Sequence, residues 1–70
     1  MMPLNLAELG GSSTIKKVGG KPDMRRHLED LGFVVGGDVT PVARMGKNVI
    51  VKIKGSRIAI SEEMAVKIMI

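Results

Sequence analysis

The sequence predicts a mainly β fold: a small barrel of about five short strands with one inserted α-helix and a short helical turn before the last strand. Two patterns in the 70 residues lead to this prediction. Pairs of glycines and other turn residues divide most of the chain into short apolar segments, as is typical of small barrels. Only one longer segment, Pro22 to Leu31, repeats its apolar residues at helical spacing. We expect residues 1–70 to form a single domain.

The first part of the chain predicts an extended entry, about one helical turn and a strand. Leu4, Leu6 and Leu9 precede the pair Gly10-Gly11, and glycine commonly ends a helical turn. Ser12 to Val18 then carries apolar residues among polar neighbours, which favours a strand.

The predicted helix runs from Asp23 to Leu31. The Asp23 carboxylate can accept from the free amides of the first turn. Met24, Leu28 and Leu31 lie at i, i+4 and i+7, so they form one apolar stripe that we expect to face the core. Gly32 follows where a left-handed cap would lie.

Two further strands are predicted in the middle of the chain. Val39 to Met45 contains Pro41, which has no amide hydrogen for a ladder, so we expect an edge strand or a bulge there. Met45 to Asn48 has the composition of a hairpin connection. Val49 to Lys54 alternates apolar and other residues with a period of two, as a strand with one buried face does.

The last part of the chain predicts a hairpin, a helical turn and a closing strand. Gly55-Ser56 is expected to form a two-residue type II′ turn that leads into the strand Arg57 to Ile60. Ser61 can cap a single helical turn, and Lys67 to Ile70 is the predicted closing strand. Across all these elements, the predicted core consists of Leu9, Ile15, Leu28, Leu31, Val39, Val51, Ile53, Ile58, Ile60, Ala65 and Ile68.

Composition restricts the class of protein. There is no cysteine to form disulfides, and no apolar run approaches the length of about 20 residues that a membrane span needs. We therefore expect a cytoplasmic protein without membrane insertion. The net charge of +4 favours an acidic partner.

The residues give no indication of catalysis, so we do not expect an enzyme. His27 is the only histidine, and no nucleophile is paired with it in a triad-like arrangement. Asp23, His27 and Asp30 could in principle approach a metal from one side of the helix, but solvated side chains are the favoured interpretation. We expect no cofactor, and weak Fe(II) binding stays open.

The order of residues resembles the FeoA family. The resemblance is carried by an entry motif, a central block and a C-terminal block: Leu4-x-Leu6-x-x-Leu9-Gly10, Met24-Arg25-Arg26-x-Leu28-x-x-Leu31-Gly32-Phe33-x-x-Gly36, and Gly55-x-x-Ile58-Ala59-Ile60 followed by Glu63-x-Ala65-x-x-Ile68. The resemblance implies an SH3-like barrel. It also implies a small accessory protein of ferrous iron uptake that acts on the cytosolic GTPase part of the membrane permease FeoB.

The predicted partner surface is the helix together with the segment that follows it. Its candidate residues are Arg25, Arg26, Phe33, Val34 and Val35. Three apolar residues in a row at a glycine-bounded turn cannot all point inward, so at least one should be exposed.

Other classes of function remain open from the sequence. One is a nucleic-acid-binding barrel, although the chain has only one aromatic residue, and such modules stack bases on aromatic side chains. Another is a metal-dependent regulatory domain, like the C-terminal domain of iron-dependent repressors. Homo-oligomers through an edge strand also stay open.

Overall fold

The computed structural model of the chain describes residues 1–70, which form six strands, two α-helices and one 3₁₀ helix. In chain order the elements are a 3₁₀ helix (Leu4–Leu6), β1 (Ser13–Thr14), β2 (Lys17–Val18), α1 (Pro22–Asp30), β3 (Asp38–Met45), β4 (Asn48–Ile53), β5 (Ser56–Ser61), α2 (Glu62–Ala65) and β6 (Ile68–Met69). Four strands make an antiparallel sheet in the order β1-β3-β4-β5, and β2 pairs with β6 in a second sheet. The predicted mainly β fold is therefore confirmed.

The predicted strand from Ser12 to Val18 is divided between the two sheets. Its first half pairs with β3 and its second half with β6. Ile15 lies at the corner between them and is buried. The amide of Ile15 donates to the carbonyl of Gly37 at 2.8 Å, and its carbonyl accepts from the amide of Gly36 at 2.8 Å. This corner therefore fixes the loop that follows α1.

α1 ends in a Schellman motif that turns the chain back into the core. The amide of Gly32 donates to the carbonyl of Glu29 at 3.0 Å, and the amide of Phe33 donates to the carbonyl of Leu28 at 3.0 Å. Gly32 has a φ of +110°, a conformation that L side chains rarely adopt. Leu28 and Phe33, the two positions that commonly pack together in this motif, are both fully buried.

The expected irregularity at Pro41 is a β-bulge. Pro41 pairs with Val51, but the register of β3 against β4 shifts between Pro41 and Ala43. At the far end of this hairpin, Met45 pairs with Asn48 across a two-residue connection, as predicted.

The turn between β4 and β5 lies one residue earlier than predicted. Ile53 pairs with Ser56, so Lys54 and Gly55 are the two loop residues. Both have positive φ, at +50° and +78°, which is the pattern of a type I′ turn. The prediction of a type II′ turn at Gly55-Ser56 is therefore wrong. It assumed that glycine takes the first loop position, whereas Lys54 adopts the positive φ that this position requires.

The two ends of the chain are hydrogen-bonded to each other. The amide of Met2 donates to the carbonyl of Ile70 at 2.8 Å, and the amide of Ile70 donates to the carbonyl of Met2 at 2.8 Å. Just before β6, the hydroxyl of Ser61 accepts from the amide of Met64 at 3.2 Å, so the predicted cap of α2 is confirmed.

One cluster of buried apolar side chains forms the core: Leu4, Ala7, Ile15, Val18, Leu28, Phe33, Val39, Val49, Val51, Ile53, Ile60, Ala65, Ile68 and Ile70. Three residues predicted for the core are not fully buried. Ile58 is only half-buried, and Leu9 is 46% exposed, whereas Leu4 and Ala7 of the same segment are buried. Leu31 is 38% exposed, since α1 ends before it and Phe33 enters the core instead.

Candidate partner-binding surface

The two predicted arginines lie on the exposed side of α1. Leu28 is the buried residue of the helix, and Met24 packs beside it against the core. Arg26 lies on the opposite side, because residues two positions apart in an α-helix are separated by about 200°. Arg25 and Arg26 are each followed four residues later by an acidic residue, Glu29 and Asp30. The exposed side of α1 therefore carries charges of both signs.

Phe33 does not belong to this surface. Its side chain is fully buried, with 0% of its surface exposed. The reason is the Schellman motif, which places the second residue after the C-cap Leu31 over the last turn and directs it inward. The prediction that Phe33 contributes to a partner surface is corrected accordingly.

Val34 and Val35 lie on the loop that leaves the motif. Val34 is half-buried, and its carbonyl accepts from the amide of Gly37 at 3.0 Å in a tight turn. A Cβ at Gly37 would lie 3.1 Å from that carbonyl, so a side chain there would require a small shift of the turn. Val35 is 67% exposed, which confirms that at least one apolar residue of this segment faces outward.

The predicted site residues therefore divide between two adjoining elements. Arg25 and Arg26 are presented by α1, and Val34 and Val35 by the loop after it; we call these four residues the helix–loop surface. Leu31, which had been predicted for the core, lies between the two elements and is partly exposed. Its exposure could have been anticipated from Gly32, because a left-handed cap ends the helical periodicity before the apolar stripe is complete.

Two further exposed apolar residues, one at the end of β3 and one in the 3₁₀ helix, were not predicted. Leu6 and Met45 are 62% and 63% exposed. They are sequence neighbours of a contact between the N-terminal segment and β3. In this contact the Arg44 guanidinium donates to the backbone carbonyls of Asn5 and Ala7. No periodic pattern in the sequence marks this contact, because it joins residues more than 30 positions apart.

The structure contains two surface depressions. The larger has a volume of about 590 Å³ and is lined by Lys47, Asn48, Ser61, Glu62, Glu63 and Val66. The smaller, of about 50 Å³, lies beside it against Asn5 and Arg44. Neither includes the helix–loop surface.

Metal-ligating residues do not converge in the structure. No group of three or more His, Cys, Asp or Glu side chains lies close enough together to hold a metal ion, and Asp23, His27 and Asp30 do not form such a group. None of the helices has the length and apolar character that crossing a membrane requires.

Comparisons of the sequence and of the structure with known proteins point to the same family. The family model of the FeoA domain matches residues 2–70. A crystal structure described as an iron uptake regulatory protein, FeoA, is 25% identical; the match covers 97% of this chain and 90% of that one, with a TM-score of 0.88. The FeoA of Stenotrophomonas maltophilia, complexed with zinc and described as a procaryotic SH3 domain protein, is 27% identical. That match covers 99% of this chain and 88% of the other, with a TM-score of 0.85.

Similarity of fold extends further than similarity of sequence. A manganese-dependent transcriptional repressor shares 19% identity over 94% of this chain and 38% of its own, with a TM-score of 0.85, which shows a common fold alone. No curated protein sequence matches this chain. The family match nevertheless spans nearly every residue, and the similar structures include one described as an SH3 domain protein. This chain therefore belongs to the FeoA family, which is associated with ferrous iron transport.

Proposed function

We propose that this chain is a cytoplasmic accessory protein of ferrous iron uptake that binds the GTPase part of the membrane iron permease FeoB and regulates it. The observation that carries the proposal is the FeoA match over residues 2–70. In this proposal the protein acts by contact and catalyses no reaction.

The helix–loop surface is the proposed contact. Its exposed Val35 offers apolar area, which contributes to affinity when a partner removes it from water. Arg25 and Arg26 lie beside it on α1, and the net charge of the chain is +4. Complementary charge mainly accelerates encounter and selects partners. Because Glu29 and Asp30 offset the two arginines on α1, it is the net charge of the whole chain that favours an acidic GTPase domain.

The loop is held in position before a partner arrives. The Schellman hydrogen bonds fix its start at Gly32 and Phe33, and the amide of Gly36 bonds to Ile15 at its end. Binding then orders few residues, which reduces the entropic cost of association. This rigidity supports the choice of the loop as the contact.

The experiment is an NMR titration of the isotope-labelled chain with the cognate GTPase domain. We expect shifts concentrated at the helix–loop surface. Val35→Asp should weaken binding about tenfold or more, because a charge replaces an apolar contact at the interface centre. Met45→Asp is the matched control: Met45 is 63% exposed, close to the 67% of Val35, and lies at the end of β3, outside the helix–loop surface. It should bind as the unmodified chain does.

The outcomes distinguish the proposed function from the proposed contact surface. Absence of any binding by the unmodified chain contradicts the function itself. Binding that Met45→Asp weakens and Val35→Asp does not would keep the function and reject the helix–loop surface. Circular dichroism of both variants checks that the fold is retained.

A further inference from the structure

β5 is a free edge of the four-stranded sheet. It pairs with β4 on one side, and no strand lies on its other side. The backbone hydrogen bonds outside the regular elements include none that joins Arg57, Ala59 or Ser61 to another segment. An edge of this kind can template pairing with an added strand.

The direction of each backbone group in β5 follows from the turn that precedes it. In a two-residue hairpin the residues that flank the loop, here Ile53 and Ser56, form a hydrogen-bonded pair, and such pairs alternate along an antiparallel ladder. The bond from the amide of Glu62 to the carbonyl of Lys47 at 2.8 Å lies in the same alternation and confirms it. Ile58 and Ile60 therefore bond to β4, whereas the amides and carbonyls of Arg57 and Ala59 face the free edge.

Positive charge is concentrated at the turn end of this edge. Lys52 pairs with Arg57, and two cations directly opposite each other in a ladder repel. Both side chains are exposed, and neither takes part in a side-chain hydrogen bond in the structure. Lys54 in the adjoining turn is also exposed, but the stem of its side chain lies against Gly32 at the end of α1. The carboxylate of Asp38, in β3, accepts from the hydroxyl of Thr14 at 3.5 Å and has no hydrogen bond from these cations.

We propose that the free edge of β5 binds an extended acidic segment of a partner protein by strand addition. The backbone groups of Arg57 and Ala59 pair with the added strand, and its carboxylates relieve the repulsion between Lys52 and Arg57. The small side chain of Ala59 leaves room for the residues of the partner on the outer face. A second copy of this chain would bring the same cations and another net charge of +4 to the edge, so charge favours the acidic segment. This surface is separate from the helix–loop surface and does not depend on the proposed function.

The test uses a peptide of about eight alternating valines and glutamates, a length that suits a single strand. It is titrated into the isotope-labelled full chain, and a peptide of alternating valines and lysines serves as the matched control. We expect only the acidic peptide to bind. Hydrogen exchange at the amides of Arg57 and Ala59 should slow by about tenfold or more, since both become hydrogen-bonded. The amides of Ile58 and Ile60, already bonded to β4, should change little.

Variants test the two components of the proposal. Arg57→Glu should weaken binding of the acidic peptide by about tenfold, whereas Lys67→Glu, a charge reversal at an exposed position away from β5, should have little effect. Ala59→Pro removes an amide that faces the free edge without removing a bond to β4, so the fold is retained and binding is lost. Ala59→Ser keeps the amide and should keep binding.

Several results would overturn the proposal. Equal binding of the basic peptide, or undiminished binding to Ala59→Pro, would exclude strand addition guided by charge. Protection of Arg57 and Ala59 in the chain alone, together with a dimer in sedimentation equilibrium, would assign the edge to a second copy. Shifts confined to α1 would place the acidic peptide on the helix–loop surface.

Discussion

Phe33 directly follows the left-handed Gly32 at the end of α1, and its side chain is fully buried. It lies among three apolar residues after Gly32, and the periodicity of the helix gives no direction for any of them. The Schellman motif does give a direction, because the residue after the left-handed glycine commonly packs against the last turn. The spacing Leu28-x-x-x-Gly32-Phe33 contains this information. To predict the direction of Phe33 from this spacing, the capping pattern has to be considered together with the apolar stripe.

Phe33→Ala should reduce the free energy of unfolding by about 3–5 kcal/mol, because it removes a fully buried aromatic side chain and leaves a cavity. In a core this small such a loss is a large part of the total stability. Urea denaturation followed by circular dichroism measures the change. Val35→Ala on the same loop should change stability by less than about 0.5 kcal/mol, since its side chain is mostly exposed. Equal effects of the two substitutions would contradict the inward direction of Phe33.

Among the elements, the helix was predicted closely and the strands less so. α1 starts and ends within one residue of its expected bounds, because proline, an apolar stripe and glycine all agree there. The segment from Ser12 to Val18 was predicted as one strand and divides into β1 and β2, since its partners lie in different sheets. Partners of a strand are distant in sequence, and local periodicity carries no information about them.

Gly32→Ala tests how the end of α1 is specified. The φ of +110° strains any L residue, so the substitution should lower the free energy of unfolding by about 1–3 kcal/mol. A Cβ at this position would meet only ordinary contacts, 3.6 Å from Lys54 and 3.7 Å from Ile53, so the backbone accounts for the cost.

Gly11→Ala is the control for this substitution. Gly11 has neither a positive φ nor an atom within 4 Å of an added Cβ, so thermal unfolding of this variant should match that of the unmodified chain. A change in Gly32→Ala no larger than that in Gly11→Ala would show that the cap does not need glycine.

At the scale of the whole molecule, the sequence predicted the fold and only part of the surface. Eight of the buried residues were expected in the core, and a period of 3.6 identified Leu28 while a period of two identified Val51, Ile53 and Ile60. Six were not: Leu4, Ala7, Val18, Phe33, Val49 and Ile70. Ile70 belongs to the pairing of the chain ends, which joins residues too distant in sequence for local periodicity to indicate. The family resemblance supplied the SH3-like fold. The four residues of the helix–loop surface were proposed from the sequence together with Phe33, which is buried, and their role as a contact stays a prediction. The juxtaposition of Lys52 and Arg57 emerges only once the register of β5 with β4 is known.

The distribution of charge over the molecule leads to a prediction about the rate of association. The chain has 11 basic and 7 acidic residues, so an acidic GTPase domain would be attracted to it before contact. Raising the salt concentration from about 50 to about 500 mM shortens the Debye length from about 14 to about 4 Å and screens this attraction. The association rate constant, measured by stopped flow with the GTPase domain, should then fall by about tenfold, and the dissociation rate constant should change much less. Arg26→Glu should reduce this dependence on salt, because it removes one cation from the approaching surface and adds an anion. An association rate that does not respond to salt would contradict an acidic partner and leave apolar contact through Val35 as the basis of binding.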